Sequence, residues 1–267
     1  MHMDGIKKTL LQLRKKKEKA LVPFIVIGDP NYAASLALAK VIAAESDMLE
    51  LGFAFSDPIA DGPTIQAADQ RAQRAGMSTK RNFQFIKELR KYSNKPINLL
   101  VYANLIFQQG IASFYRNARE AGVSSVLIAD LPPEEAKPYV EQAKKHGIMT
   151  VFAISPLTDK TRIKAIARQT TGFLYLIARL GVTGATKTIE NAVFAMIKNI
   201  RSVTELPIVV GFGISNKGQV REICKAGADG VIVGSKLIAL VEKNRNNKKM
   251  LLAKTKAFVK GLKQGTR

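Results

Sequence analysis

Eight times along this chain an apolar, β-branched run gives way to a turn and then to an amphipathic segment. The runs cover residues 20–28, 47–55, 96–104, 125–130, 150–155, 173–178, 207–214 and 230–235. The intervening segments with helical periodicity cover 32–44, 106–121, 133–146, 159–169, 189–203 and 216–226, with a further helix at 80–92 before the third run. A helix at 6–16 precedes the first strand and one at 251–262 closes the chain. Strands alternating with helices build a parallel sheet, and eight such units in roughly 250 residues match a closed (β/α)₈ TIM barrel with an extra N-terminal helix. The rival is an open, doubly wound sheet. The count of eight and the lack of an early G-x-G-x-x-G favour the barrel. No Pro-, Gly- or Ser-rich linker divides the sequence, so a single domain over residues 1–267 is expected.

A barrel fixes where chemistry belongs, namely at the carboxyl ends of the strands and in the loops that follow. The polar and glycine-rich clusters fall there: Gly28-Asp29-Pro30, the loop from Ser56 to Gly62, Asn104, Asp130, the stretch from Gly181 to Gly184, the stretch from Gly211 to Ser215, and Gly234-Ser235.

Composition removes other classes. One cysteine, Cys224, excludes an internal disulfide framework and a cysteine zinc cluster. Two histidines, His2 and His146, leave little for a histidine metal site, so no metal is expected. No apolar run approaches the roughly 18 residues of a membrane span, and no signal-peptide core is visible. A soluble, cytoplasmic protein is the expectation. The net charge of +21 would attract phosphate or acidic partners, and much of it sits near the two ends. Those basic residues read as solvated helix faces. No aromatic residues are interleaved with them as a nucleic-acid surface requires, so a nucleic-acid partner is the outsider.

The second run carries an acid in its middle. With strand alternation, Met48, Glu50 and Gly52 share one face, and Leu49, Leu51 and Phe53 the other. The apolar trio suits packing against outer helices, so Glu50 points into the lumen near its top. Burial there raises a carboxyl pKa and lets one group both donate and accept a proton near neutrality. The alternative is a structural carboxylate paired with a lumen Lys or Arg, but the strands supply no such partner. Asp61, in the following loop, is placed to accept a hydrogen bond from a substrate N–H. Asp57 lies in Ser56-Asp57-Pro58, a good turn former, and turn chemistry competes with any catalytic part for it.

The glycines after the last three strands suit a phosphate cradle, since backbone N–H groups approach an anion only where side chains are absent. A short helix opening at Gly234-Ser235 would add its positive end, and Gly184, Gly213 and Ser215 would add donors. Phe24, Leu100, Tyr102, Tyr175 and Phe212 sit on or near strand ends and together suit an apolar slot for an aromatic ring, although each alone is equally ordinary core. His146 reads as a helix C-cap and Cys224 as core.

With these residues in place, the sequence closely resembles the tryptophan synthase α-subunit family along its whole length. The segment ELGFAFSDPIADGPTIQ lies very near that family's signature, and PFIVIGDP, VYANLIFQQG, VLIADLP, YLIARLGVTGA, GFGIS and GSKLI follow in the family's order and spacing. The resemblance implies retro-aldol cleavage of indole-3-glycerol phosphate to indole and glyceraldehyde 3-phosphate. It implies Glu50 as acid–base catalyst, Asp61 as stabiliser of the indole N–H and Tyr175 beside the substrate. Gly184, Gly213, Gly234 and Ser235 then hold the phosphate, and Thr183 helps position the aspartate. It also implies a β-subunit partner in an α2β2 heterotetramer, docked over Asp57, Pro58 and the Asn104 region. Pyridoxal phosphate (PLP) belongs to that partner and no cofactor to this chain. A stand-alone indole-releasing lyase and a weakly catalytic activator of the β partner are the other readings. The chain departs from the family at Ala54, where Pro is usual, at Val26, where Thr is frequent, and at Ala153, where a larger apolar residue is common.

Overall fold

The computed structural model of the protein describes residues 4–177, 186–211 and 213–267. Among them lie eight strands: β1 (Ala20–Val26), β2 (Leu49–Gly52), β3 (Ile97–Val101), β4 (Ser125–Ile128), β5 (Met149–Ile154), β6 (Leu174–Ile177), β7 (Ile208–Gly211) and β8 (Gly230–Val233). Each pairs in parallel with its sequence neighbour, and β8 pairs with β1, so the sheet closes into a barrel in strict chain order. The helices are α1 (Asp4–Lys15), α2 (Tyr32–Glu45), α3 (Pro63–Arg74), α4 (Thr79–Arg90), α5 (Ala103–Phe107), α6 (Ile111–Ala121), α7 (Lys137–Lys145), α8 (Lys160–Gln169), α9 (Thr186–Arg201), α10 (Lys217–Lys225), α11 (Ser235–Asn244) and α12 (Lys248–Lys263). No described helix is long and apolar enough to cross a membrane.

The strands are apolar on both faces because both are covered, as a barrel requires. Alternate residues divide between two clusters. Leu21, Ile25, Leu49, Leu51 and Phe53 pack outward with the helices. Ala20, Val22, Phe24, Val26 and Met48 fill the lumen, as expected for the second strand. Ile6, Leu10 and Leu13 of α1 join the lumen cluster beside Ala20, which starts β1, and Met48, which immediately precedes β2. That helix therefore stoppers the end opposite the loops expected to carry chemistry.

Helix starts follow cap chemistry: Asn31, Asp159, Asn216 and Asn247 each accept the N–H three residues on, at 2.8–3.0 Å. His146 caps α7, and Cys224 is half-buried on α10. Three differences from the sequence expectation have local causes. The segment 106–121 is two helices, because Gly110 adopts φ 75°, which a right-handed helix cannot continue through. The segment 133–146 opens with a 3₁₀ turn, Pro133–Glu135, before α7. Helix α3 was not foreseen: Gly62-Pro63 reads as a turn, yet Gly62 is the N-cap and Pro63 opens the first helical turn, where its missing N–H is no loss.

Candidate active site

At the carboxyl ends of the strands lies a cavity of about 380 Å³. Phe24 of β1, Glu50 of β2, Leu100 of β3, Leu127 of β4, Ala153 of β5, Tyr175 of β6 and Ile232 of β8 form its floor and walls. Asp61 and Gly62 of the β2–α3 loop, Gly211 and Gly213 at the end of β7, and Gly234 and Ser235 at the start of α11 rim it. A larger hollow of about 530 Å³ opens beside Thr9, Lys40 and Tyr92 near α1, but no expected site residue lines it.

Glu50 is 1% exposed. Its Oε1 accepts a hydrogen bond from Asn98 Nδ2 at 2.7 Å, while Oε2 is buried without a partner among the described residues. Burial pushes its pKa up to about 8. Asn98 opposes that rise and the negative charge of Asp61 adds to it. Tyr175, half-buried on the cavity wall, faces the same carboxyl group and also opposes the rise, while burial pushes its own phenol well above the ordinary value. The carboxyl group therefore stands near its titration point at neutral pH, as acid–base work requires.

Asp61 is held by its loop. Tyr102 donates its hydroxyl to Asp61 Oδ2 at 2.7 Å and accepts the Ala60 N–H at 3.2 Å. Its ring stacks on Phe55 with centroids 4.9 Å apart. The Gln66 side chain ties the Asp61 carbonyl to α3 at 2.8 Å. Burial raises the Asp61 pKa and the Tyr102 hydroxyl restrains it.

Of the expected residues, Glu50, Asp61, Phe24, Leu100, Tyr175, Gly213, Gly234 and Ser235 come together on the cavity. Tyr102 stands differently: it is absent from the wall and sits behind Asp61, because its hydroxyl reaches that carboxylate and its ring is buried against Phe55. Thr183, Gly184 and Phe212 lie outside the described residues. Ser215 is no free donor, since its N–H and hydroxyl both go to Gln219 Oε1, at 2.8 and 3.1 Å. Asp57 is exposed and takes the Ser56 hydroxyl, as turn chemistry predicts. Asp29 and Asp130 serve the scaffold. Arg71 grips both oxygens of Asp29 at 2.6 and 3.0 Å, and Asp130 accepts the Ala103 N–H at 2.8 Å. No group of three or more His, Cys, Asp or Glu side chains among the described residues is arranged to hold a metal ion.

Sequence reasoning missed three polar residues. Asn98 and Ser125 are wholly buried in the lumen beside Glu50. Their signal was parity: Asn98 shares a strand face with Leu100, so a polar residue stood at an inward position. Asp69, 4% exposed on α3, has an unpartnered Oδ2, and its pKa is pushed up to about 8 by burial, by Asp61 and by Asp29. It lies four residues after Ile65 and three before Ala72, on the apolar face of a helix that was itself overlooked.

The glycines divide the space. A Cβ on Gly211 would stand 2.5 Å from the Tyr175 ring, so that glycine makes room for the tyrosine, whereas a Cβ on Gly213 would meet nothing within 4 Å among the described residues. Gly234 is the N-cap of α11, whose first-turn N–H groups have no intrahelical acceptor. An anion at this rim would find those donors and the positive end of the helix.

A sequence model of the tryptophan synthase alpha chain matches residues 10–267. The tryptophan synthase alpha chain of Methanothermobacter thermautotrophicus is 47% identical over 234 residues, which cover 87% of each chain. The crystal structure of tryptophan synthase subunit alpha from Legionella pneumophila superposes with a TM-score of 0.90 at 33% identity, over 98% of this chain and 97% of that one. A chain of the tryptophan synthase α2β2 complex of the hyperthermophile Pyrococcus furiosus does so with a TM-score of 0.86 at 35% identity, over 92% and 98%. Matched along nearly its whole length in both sequence and fold, the chain belongs to the tryptophan synthase alpha chain family.

Proposed function

We propose that the cavity above β2, β3 and β6–β8 is where this carbon–carbon lyase splits indole-3-glycerol phosphate, with Glu50 moving the protons and Asp61 holding the indole N–H. The observation that carries the assignment is a buried carboxyl group, poised near neutrality, on the wall of a cavity whose rim holds a second carboxylate and a cluster of glycines. The bond between indole C3 and the side chain breaks when C3 gains a proton and the hydroxyl on the neighbouring side-chain carbon loses one. One proton is delivered and one is taken up, so a single carboxyl group ends as it began. Protonation at C3 leaves positive character on the ring nitrogen, and a carboxylate fixed beside that nitrogen stabilises it. Asp61, braced by Tyr102, is suited to this. Phe24, Leu100, Leu127, Ala153 and Ile232 supply an apolar slot for the indole ring, and Gly213, Gly234 and Ser235 the donors for the phosphate.

The products are indole and glyceraldehyde 3-phosphate, and the protein is the alpha component of tryptophan biosynthesis, working with a tryptophan synthase β subunit. The finer readings are part of the same proposal: one domain over the whole chain, a cytoplasmic location, and pyridoxal phosphate held by the β partner alone. Ile59, Phe107 and Leu157 are largely exposed on loops and a helix end that follow β2, β3 and β5. Because they follow the carboxyl ends of their strands, they lie on the cavity's face of the barrel, which suits a partner that receives indole there.

Indole release from indole-3-glycerol phosphate tests the reading. Glu50→Gln keeps the size of the side chain and removes the titrating group. A loss on the order of 10²–10⁴ in kcat is expected, and undiminished turnover would sink the assigned mechanism.

A further inference from the structure

The wall behind Glu50 is a row of polar side chains crossing three strands at one level. Glu50 on β2 stands opposite Asn98 on β3, and Asn98 opposite Ser125 on β4. All three side chains are buried. Ser125 Oγ donates to Asn98 Oδ1 at 2.6 Å, and Asn98 Nδ2 donates to Glu50 Oε1 at 2.7 Å. The next residue in the row is Met149, which ends it. In a lumen otherwise filled largely by apolar side chains, a buried amide is tolerable only where its hydrogen bonds are made.

We infer that Asn98, locked by Ser125, is a positioning residue that confines the Glu50 proton to Oε2 and so decides which oxygen does the chemistry. The inference rests on the reading of Glu50 as acid–base catalyst. The serine hydroxyl binds the amide oxygen and turns the NH2 group toward the carboxyl group. The reverse orientation would set amide oxygen against carboxyl oxygen in a buried site, where an unmatched polar pair is expensive. Asn98 thus offers Glu50 a donor in either protonation state. A proton on Oε1 would face that donor and displace it, whereas a proton on Oε2 leaves the hydrogen bond intact. Oε1 is therefore the fixed, carbonyl-like oxygen and Oε2 the one that gives and takes the proton. The other ionisable groups facing Glu50 are Asp61 of the β2–α3 loop and Tyr175 of β6. Asp61 pushes the Glu50 pKa up by its charge, whereas Tyr175, like Asn98, pulls it down.

The tether also favours the ionised form, which the step that removes the hydroxyl proton needs. Without it, the pH at which Glu50 becomes available as a base moves upward. Below the new midpoint, the ionised fraction falls about tenfold for every pH unit that the midpoint has climbed.

The experiment uses the full chain with three variants, Glu50→Gln, Asn98→Ala and Ser125→Ala. Two quantities are read: the pH profile of kcat for indole release, and the infrared C=O stretch of the protonated Glu50, identified as the band absent from Glu50→Gln. In Asn98→Ala the basic-form limb is expected to move up by about one pH unit, with about tenfold lower kcat at neutral pH and little change in KM. The C=O band should rise in frequency, because the hydrogen bond to Oε1 is gone. Ser125→Ala should move both in the same direction by less. Should Asn98→Ala fail to fold, Ser125→Ala decides by the same two readouts. An unmoved limb together with an unmoved band overturns the inference while leaving Glu50 as catalyst. A moved limb with an unmoved band overturns the assignment of the oxygens. Full activity in Glu50→Gln removes the reading on which the inference stands, and that outcome is separate from the other two.

Discussion

Across the barrel mouth, the β2–β4 side sets polar side chains at and behind the cavity wall, whereas the ends of β7 and β8 rim the cavity with glycines. On the first side Glu50, Asn98 and Ser125 form a hydrogen-bonded row, and Tyr102 and Gln66 brace the loop of Asp61. On the second side Gly211, Gly213 and Gly234 remove side chains, leaving N–H groups and room for the Tyr175 ring. The two halves solve different problems. A proton must be held at one atom to within a fraction of an ångström, which calls for side chains buttressed by other side chains. A phosphate is a diffuse charge that several N–H groups can share, so space and backbone suffice.

The comparison breaks most sharply at Glu50. Its glutamine variant should lose turnover on the order of 10²–10⁴ with little change in KM, because the phosphate half is untouched. Asp61→Asn should come next. It keeps the Tyr102 contact and removes the charge that answers the developing positive nitrogen, so kcat should fall on the order of 10²–10³. A large rise in KM with kcat preserved in either variant would show that the acidic half binds and does not catalyse.

The two halves also differ in how far they were legible in the sequence. Glu50 was readable because a lone acid in an apolar strand has one inward face to choose, and strand parity chose it. The glycine cluster was readable from its place after the last strands of an eightfold alternation. The buttresses were not. Asn98 looks like a blemish in its strand until the register sets it opposite Glu50. Tyr102 looks like slot lining until the loop brings Asp61 within 2.7 Å of its hydroxyl. Asp69 went unseen because Gly62-Pro63 reads equally as a turn and as the start of a helix. Residues that face a cavity announce themselves by type and spacing, whereas residues that hold them depend on pairings between distant strands.

On the glycine side, a pair of alanines separates room for protein from room for ligand. Gly211→Ala would push a methyl group into Tyr175, and should destabilise the fold by about 1–3 kcal/mol as an overpacked site does, measured by urea unfolding. Gly213→Ala meets no described residue within 4 Å, so unfolding should be unchanged, while its methyl group crowds the phosphate off the backbone donors and KM for the phosphorylated substrate rises on the order of tenfold, as when one hydrogen bond to a charged group is lost. Equal stability losses in the two would refute the division, and so would an unchanged KM in Gly213→Ala.

Acidity gives a smaller but distinctive mark. Glu50 and Asp69 have folded pKa values raised to about 8 from ordinary values of 4.5 and 3.8. Between those limits the folded chain keeps protons that the unfolded chain has released. Stability therefore falls as pH rises through this window, and this contribution levels off above about pH 8. Above about pH 5 ordinary carboxylates are already ionised and contribute little slope. Urea midpoints at several pH values from about 5 to 8 should thus drift downward. Glu50→Gln and Asp69→Asn should each flatten the drift, while Gly213→Ala, in the half without a titrating group, should leave it alone. A drift unaffected by both acid variants would mean that neither carboxyl group is buried uncharged.

The mildest test concerns Ala54, in the loop that carries Asp61, where the family usually has proline. Ala54 is half-buried, lies just beyond the end of β2, and its N–H makes none of the loop or turn backbone hydrogen bonds among the described residues. A proline there would remove no such bond and would restrict the unfolded chain. Ala54→Pro should therefore stabilise the protein by about 0.4–1 kcal/mol, read from the urea midpoint. Its effect on kcat should be under about threefold, if side-chain buttressing and not backbone stiffness positions Asp61. That condition is the sharper half of the prediction. Tyr102 and Gln66 already hold the loop at two points, one on the carboxylate and one on the adjoining carbonyl. A proline that raised turnover manyfold would show that these two contacts leave Asp61 loose, and that the acidic half, like the glycine half, depends on its backbone.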